Sequence, residues 1–262
     1  MPPGCRFTLA SGLVVVVLFL STFSSSAQIA CSAPIADTPH QGGGESAGTI
    51  YGVQADISNS NPVFGCAQNW DSFTDEWVMV VGPDFPAQPE WIQLGWERDP
   101  NYMTVVHFWY QYIGPANLSP IEGHFDPTIY PIARVRTYKI EAVSDPDPTV
   151  GTIWMLWADN ILLDTIPAAN LGWSGGSQYG TNMQWSGEVS YVESDMGGPY
   201  YNAAQIVWPM WTLGGGYIDV TTPYFFNSSH PRYAGDARQF SDGTWFFRNW
   251  SWYRVFLPFI DK

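Results

Sequence analysis

One device recurs along this chain: a short run of alternating apolar and polar side chains, closed by glycine, proline or asparagine. Its sharpest instance is Met183-Gln184-Trp185-Ser186-Gly187-Glu188-Val189-Ser190-Tyr191. In an extended backbone Met183, Trp185, Val189 and Tyr191 fall on one face, and Gln184, Ser186, Glu188 and Ser190 on the other. The first face requires a core. The second offers one carboxylate among small or neutral polar groups, the lining an open cleft needs.

The same pattern runs through much of the chain. Trp91–Glu97 sets Ile92, Leu94 and Trp96 against Trp91, Gln93, Gly95 and Glu97, and Thr104–Ile113 aligns Val106, Phe108, Tyr110 and Tyr112. Further strands are expected over Thr49–Ile57, Glu76–Val81, Ala133–Val143, Ile153–Ala158, Ala203–Pro209, Tyr217–Thr222 and the aromatic run Trp245–Phe259. The one helical possibility, Ile161–Leu171, is limited to about one turn by Pro167. Strands at this spacing predict an all-β chain, an antiparallel β-sandwich of jelly-roll type in a single domain over 49–262.

Composition agrees. Of 262 residues 16% are aromatic and only 13% charged, which suits short strands and tight turns better than helices. A net charge of −14 excludes a nucleic-acid partner, because phosphate binding rests on clustered Lys and Arg. Residues 1–27 have the layout of a secretory signal peptide. Arg6 precedes the apolar run Leu13–Leu20, and small residues end it at Ser25-Ser26-Ala27. The expected location is therefore extracellular, with an uncleaved anchor as the alternative; no stable membrane span is expected later in the chain. Residues 28–48, Ser/Gly/Pro-rich and ending in Gly42-Gly43-Gly44, read as a flexible lead-in. Cys31 and Cys66 would remain after cleavage and form one disulfide in an oxidising compartment, with lipid attachment at Cys31 as the competing role.

Familiar catalytic signatures are missing. No Gly-x-Ser-x-Gly elbow is present, and Gly214-Gly215-Gly216 lacks a strand-to-helix context. The four histidines are dispersed and no Cys/His set has zinc spacing, so neither metal nor cofactor is expected. Carboxyl or carboxamide pairs on cleft-facing strands are what is left.

Several segments bear on such a pair: Tyr51-Gly52-Val53-Gln54-Ala55, Trp91-Ile92-Gln93-Leu94-Gly95-Trp96-Glu97, Trp154–Trp157, Gln184-Trp185-Ser186-Gly187-Glu188-Val189 and Met196-Gly197-Gly198. In this order they resemble motifs of the neprosin family, secreted glutamic peptidases with a β-sandwich catalytic domain. The resemblance implies that Glu188 occupies the second catalytic glutamate position and that the first falls on Gln93, a departure from the two-glutamate pattern. Three explanations stand: loss of activity, a Gln93/Glu188 dyad resembling that of the fungal glutamic peptidases, or Glu97 as the missing carboxylate.

Physical chemistry favours the dyad. Glu188 beside a carboxamide ionises near pH 4.3, roughly its ordinary value, and serves as general base to a water. Gln93 then positions that water and donates to the oxyanion, whereas Glu97 requires a strand shift. Trp91, Glu97, Gln184 and Ser186 complete the expected substrate-binding set, and the resemblance implies a preference for proline at acid pH. The plant members' activation domain and Cys-rich insertion have no expected counterpart. The contrasting reading is a non-catalytic secreted module that binds carbohydrate or peptide through exposed, coplanar aromatics. Neither reading sets an oligomeric state.

Overall fold

The computed structural model describes residues 40–58, 73–99, 105–117, 119–128, 135–144, 151–189, 204–212, 217–220, 222–227, 233–242 and 245–251. The expected signal segment, Cys31, Cys66 and the Met196-Gly197-Gly198 turn lie outside these residues.

The described chain is almost wholly strand. In order these are β1 (His40–Ile50), β2 (Gly52–Ser58), β3 (Thr74–Val81), β4 (Trp91–Arg98), β5 (His107–Ile113), β6 (Ile121–Phe125), β7 (Val135–Ser144) and β8 (Thr152–Ala158). They continue as β9 (Ile161–Pro167), β10 (Gly180–Val189), β11 (Ala204–Thr212), β12 (Tyr217–Asp219), β13 (Tyr224–Asn227), β14 (Tyr233–Gln239) and β15 (Trp245–Ser251). The helical turn α1 (Ala168–Leu171) follows directly after Pro167, where the sequence allowed one turn. It ends on Gly172, whose left-handed φ of 61° suits a residue without Cβ.

Two antiparallel sheets pack face to face. The first has the order β13–β1–β10–β3–β4–β5–β6, and the second β14–β15–β11–β2–β7–β8–β9 with β12 attached to β11. The alternating residues meet between them as predicted. Val78, Val80, Ile92, Leu94, Trp96, Phe108, Met183 and Trp185 of the first sheet pack with Val53, Ile57, Tyr138, Ile140, Trp154, Leu156 and Phe247 of the second. Trp96, Trp154, Trp173 and Trp185 are fully buried. Each removes roughly 150–250 Å² from water, about 4–6 kcal/mol before the entropy of ordering.

Residues 40–48 correct the expected flexible lead-in. Gly42-Gly43-Gly44 lies inside β1, paired on one side with β10 and on the other with β13. A Cβ on Gly43 would come within 1.9 Å of the Trp185 carbonyl oxygen, and one on Gly44 within 2.3 Å of the Phe247 ring. The triglycine is a place of close packing, and glycine there supplies missing volume rather than flexibility.

Candidate active site

The site is the face of the first sheet that points away from the core. Strand register lays its residues out in three lines running across the strands, adjacent strands lying about 4.8 Å apart. The first line is Glu45–Gln184–Met79–Gln93–Gln111–Glu122. The middle one is Gly43–Ser186–Trp77–Gly95–Trp109–His124, and the third is Gln41–Glu188–Asp75–Glu97–His107.

Carboxamides dominate the first line and bond to one another and to its carboxylates. Gln93 Nε2 donates to Gln111 Oε1 at 3.0 Å, and the indole N–H of Trp91 donates to the same oxygen at 3.2 Å. Gln184 Nε2 donates to Glu45 Oε2 at 3.1 Å. The middle line is an aromatic floor: Trp77 and Trp109 are buried with Met79 and Val81, and Trp91 packs against them. Gly95 permits this, because a Cβ there would meet the Glu76 carbonyl oxygen at 1.8 Å. Ser186, expected to touch substrate, is fully buried, with Oγ 3.1 Å from the Gly42 carbonyl oxygen. That hydroxyl is spent on the backbone.

The third line carries the charge. Glu188 stands directly opposite Asp75, and Asp75 directly opposite Glu97. Burial, and then the neighbouring Glu188 and Glu97, push the Asp75 carboxyl well above the ordinary range. Asp75 is 3% exposed and its Oδ1 makes no hydrogen bond. Burial also raises Glu188, against the pull of Gln41, whose Nε2 donates to Glu188 Oε2 at 2.5 Å. Glu97 is lifted to about 7 by burial, opposed by His124 and reinforced by Asp99 and Glu122.

The register does not bring Gln93 opposite Glu188. The two are two strands apart and offset by four residues, roughly 16 Å between Cα positions on a flat sheet, too far for one bridging water. Gln93 faces Gln184 across Met79, and the glutamine beside Glu188 is Gln41. Glu97 needs no strand shift to enter the Glu188 line.

Asp75 was not legible because the predicted strand began at Glu76, while β3 begins at Thr74. Extending the alternation upstream sets Asp75, Trp77, Met79 and Val81 on one face, the signal that could have found it. The histidines also differ from expectation. His107 and His124 lie on neighbouring strands of the β5–β6 hairpin, with ring nitrogens 3.0 Å apart, next to Glu97.

This sandwich has counterparts among solved structures. Scytalido-glutamic peptidase with a peptide-based transition-state analogue superposes at a TM-score of 0.50 and 12% identity, covering 82% of this chain and 98% of that one. The chain has the fold of a glutamic peptidase. The same peptidase with a transition-state analogue inhibitor also matches at 0.50 and 12%, over 80% and 98% of the two chains. SCP-B, of the eqolisin family of peptidases, in complex with the tripeptide Ala-Ile-His, gives 0.49 and 12% over the same shares. No protein-family model matches the chain, that of neprosin included, and no curated protein matches it in sequence.

Proposed function

We propose that the chain is a secreted endopeptidase of the glutamic type, a hydrolase working in acid, with Glu188 as general base and Gln41 as its carboxamide partner. The observation that carries this reading is the Gln41–Glu188–Asp75 line beside an aromatic floor, on the outer sheet face of a glutamic-peptidase fold. Secretion rests on the Arg6-to-Ala27 pattern.

In this scheme a water sits between ionised Glu188 and the scissile carbonyl. Glu188 takes a proton as the water oxygen bonds to the carbonyl carbon, and the carbonyl π pair moves onto oxygen. The Gln41 amide, freed from Glu188 as that carboxylate is neutralised, donates to the oxyanion. Collapse re-forms the C=O bond and breaks the C–N bond, and the departing amine takes the proton held by Glu188. Asp75 acts through its neighbour as a positioning residue. Protonated by burial, it keeps the pair at a single negative charge, so that Glu188 can ionise while Asp75 remains neutral. Gln93, Gln184 and Trp91, on the same sheet face, contact the substrate backbone in this scheme.

The test is hydrolysis of a denatured protein and of proline-containing peptides at mildly acid pH by the mature chain. Glu188→Gln lowers kcat by about 10²–10⁴, the usual cost of losing a general base. Gln41→Ala lowers kcat by about 10²–10³, the usual cost of one oxyanion donor, and Gln93→Ala acts chiefly on KM. Equal losses from Gln93→Ala and Glu188→Gln, with Gln41→Ala silent, would return the dyad to Gln93. A second reading, a non-catalytic peptide-binding groove, is favoured by the separation of Gln93 from Glu188; it predicts binding of the same peptides without cleavage. A carbohydrate platform fits less well, because Trp77 and Trp109 are 3% and 5% exposed.

A further inference from the structure

Glu97, His107 and His124 converge on a small volume at the β4–β5–β6 end of the third line, and the scheme above uses none of them. The converging atoms are Glu97 Oε2, His107 Nε2 and His124 Nδ1. Their separations are 3.0 Å between the two nitrogens, 3.7 Å from His107 to Glu97 and 3.4 Å from His124 to Glu97. Zinc bound by imidazole and carboxylate at about 2.0–2.2 Å in tetrahedral geometry sets its ligand atoms roughly 3.3–3.5 Å apart. A triangle of the observed sides has a point about 2.1 Å from all three corners, lying about 0.7 Å off its plane, where a tetrahedral ion sits.

Two further observations point to a cation. Glu97 is 5% exposed, and its Oε2, aimed into the triangle, stands 3.4 and 3.7 Å from the two imidazole nitrogens, too far for a well-formed hydrogen bond. That is an expensive state for a buried carboxyl, and a metal ion relieves it. His107 also has the orientation of a ligand. Its Nδ1 lies 3.1 Å from the Val105 carbonyl oxygen; donating there fixes the tautomer that leaves the Nε2 lone pair free. His124 Nε2 faces Glu122 Oε2 at 3.7 Å, a carboxylate placed behind a ligating imidazole.

We propose that Glu97, His107 and His124 form a binding site for a divalent transition metal of the zinc class, with the fourth position open on the His124 side. Without metal, the His124 Nδ1–H donates to His107 Nε2. On binding, His124 moves its proton from Nδ1 to Nε2, toward Glu122, and Glu97 binds as the carboxylate, releasing its proton where it carries one. No redox step is involved. Two imidazoles and one carboxylate favour zinc over magnesium or calcium, which take all-oxygen sites. The ion ties three strands together beside the Asp75–Glu188 pair, and the proposal stands whether or not that pair hydrolyses peptides.

The test uses the full mature chain, stripped with chelator and titrated with Co(II) and Zn(II) near neutral pH. One Co(II) per chain with the intense visible absorption of a four-coordinate ion, displaced by stoichiometric zinc, is the expected result. Glu97→Gln, which changes little volume, abolishes that spectrum, and Glu122→Gln weakens zinc binding by about 10–100-fold while keeping it. Because a substitution at Glu97 could disturb folding, zinc-edge X-ray absorption on the unaltered protein supplies a second reading, with two imidazole nitrogens and one carboxylate oxygen expected. Only weak, six-coordinate Co(II) binding, or a Glu97→Gln protein that folds and binds as tightly as the parent, overturns the proposal. So does an absorption spectrum with no imidazole shell.

Discussion

The carboxamide line and the carboxyl line cross the same strands, two residues apart on either side of the aromatic floor, yet they are opposite in character. Along Glu45–Gln184–Met79–Gln93–Gln111–Glu122 the carboxamides donate to one another or to the carboxylates at the two ends of the line. Along Gln41–Glu188–Asp75–Glu97–His107 three carboxyls are buried side by side, and each is pushed toward its protonated form. One line is suited to holding a chain in place, the other to moving protons. A four-residue offset separates the two lines.

The largest effect comes from moving the charge between lines. Glu188→Gln lowers kcat by about 10²–10⁴, as loss of a general base does, and adding Gln184→Glu to that variant restores nothing, because that position stands beside Glu45 and Met79, four residues from Glu188. Recovery of turnover in the double variant would show that the first line is the catalytic one.

A second prediction concerns stability. Glu97 has a folded-state pKa of about 7 against 4.5 for the ordinary side chain. The folded protein therefore binds the proton more tightly than the unfolded one. The stabilisation is fully present below pH 4.5 and is lost as pH rises through about 7, amounting to roughly 3 kcal/mol at most. Asp75 and Glu188, also raised, push the same way. Metal-free protein should thus melt at higher temperature at pH 4 than at pH 8, and Glu97→Gln should flatten the difference. A protein more stable at pH 8 would break the contrast between the lines.

Smaller effects follow in the carboxamide line. Gln93→Ala and Gln111→Ala each raise KM for peptides by about tenfold or less, as expected for loss of a neutral hydrogen bond, with kcat changed little. Smallest is the effect of the Gln41 hydrogen bond on titration. It lowers the Glu188 pKa, so Gln41→Ala should move the acid limb of the pH–rate profile to higher pH in whatever activity remains.

The sandwich was largely legible because several of its central strands declare a buried face. Met183, Trp185 and Val189 are buried as the alternation requires, whereas Ile161–Pro167, where the sequence allowed a helical turn, is strand β9, and the turn begins only after Pro167. The site was legible only one strand at a time. Alternation places Glu188 and Gln93 on the outer face, but it carries no information on how far strands slide past each other. That offset separated the expected pair and brought Glu97 into line without any strand shift. Asp75 stayed hidden because the next residue is also acidic and both faces of the strand downstream are apolar, so neither acid announces its side. The dispersed histidines met through a hairpin, which sequence spacing alone does not reveal. Gly42-Gly43-Gly44 has the composition of a linker, because a linker and a crowded strand ask for the same residue for opposite reasons.

That glycine strand also sets the order in which the molecule can be completed. Gln41 and Glu188, bonded across neighbouring strands, are 147 positions apart in sequence, and β1 is flanked on its other side by β13. An emerging chain must carry its first strand with both hydrogen-bonding edges unpaired until most of the protein has been made. Pairing over such separations makes folding slow and leaves the early strand open to wrong partners. The polar line that holds Glu188 is therefore among the last features to close, and activity should appear only when the first and later parts of the chain have met.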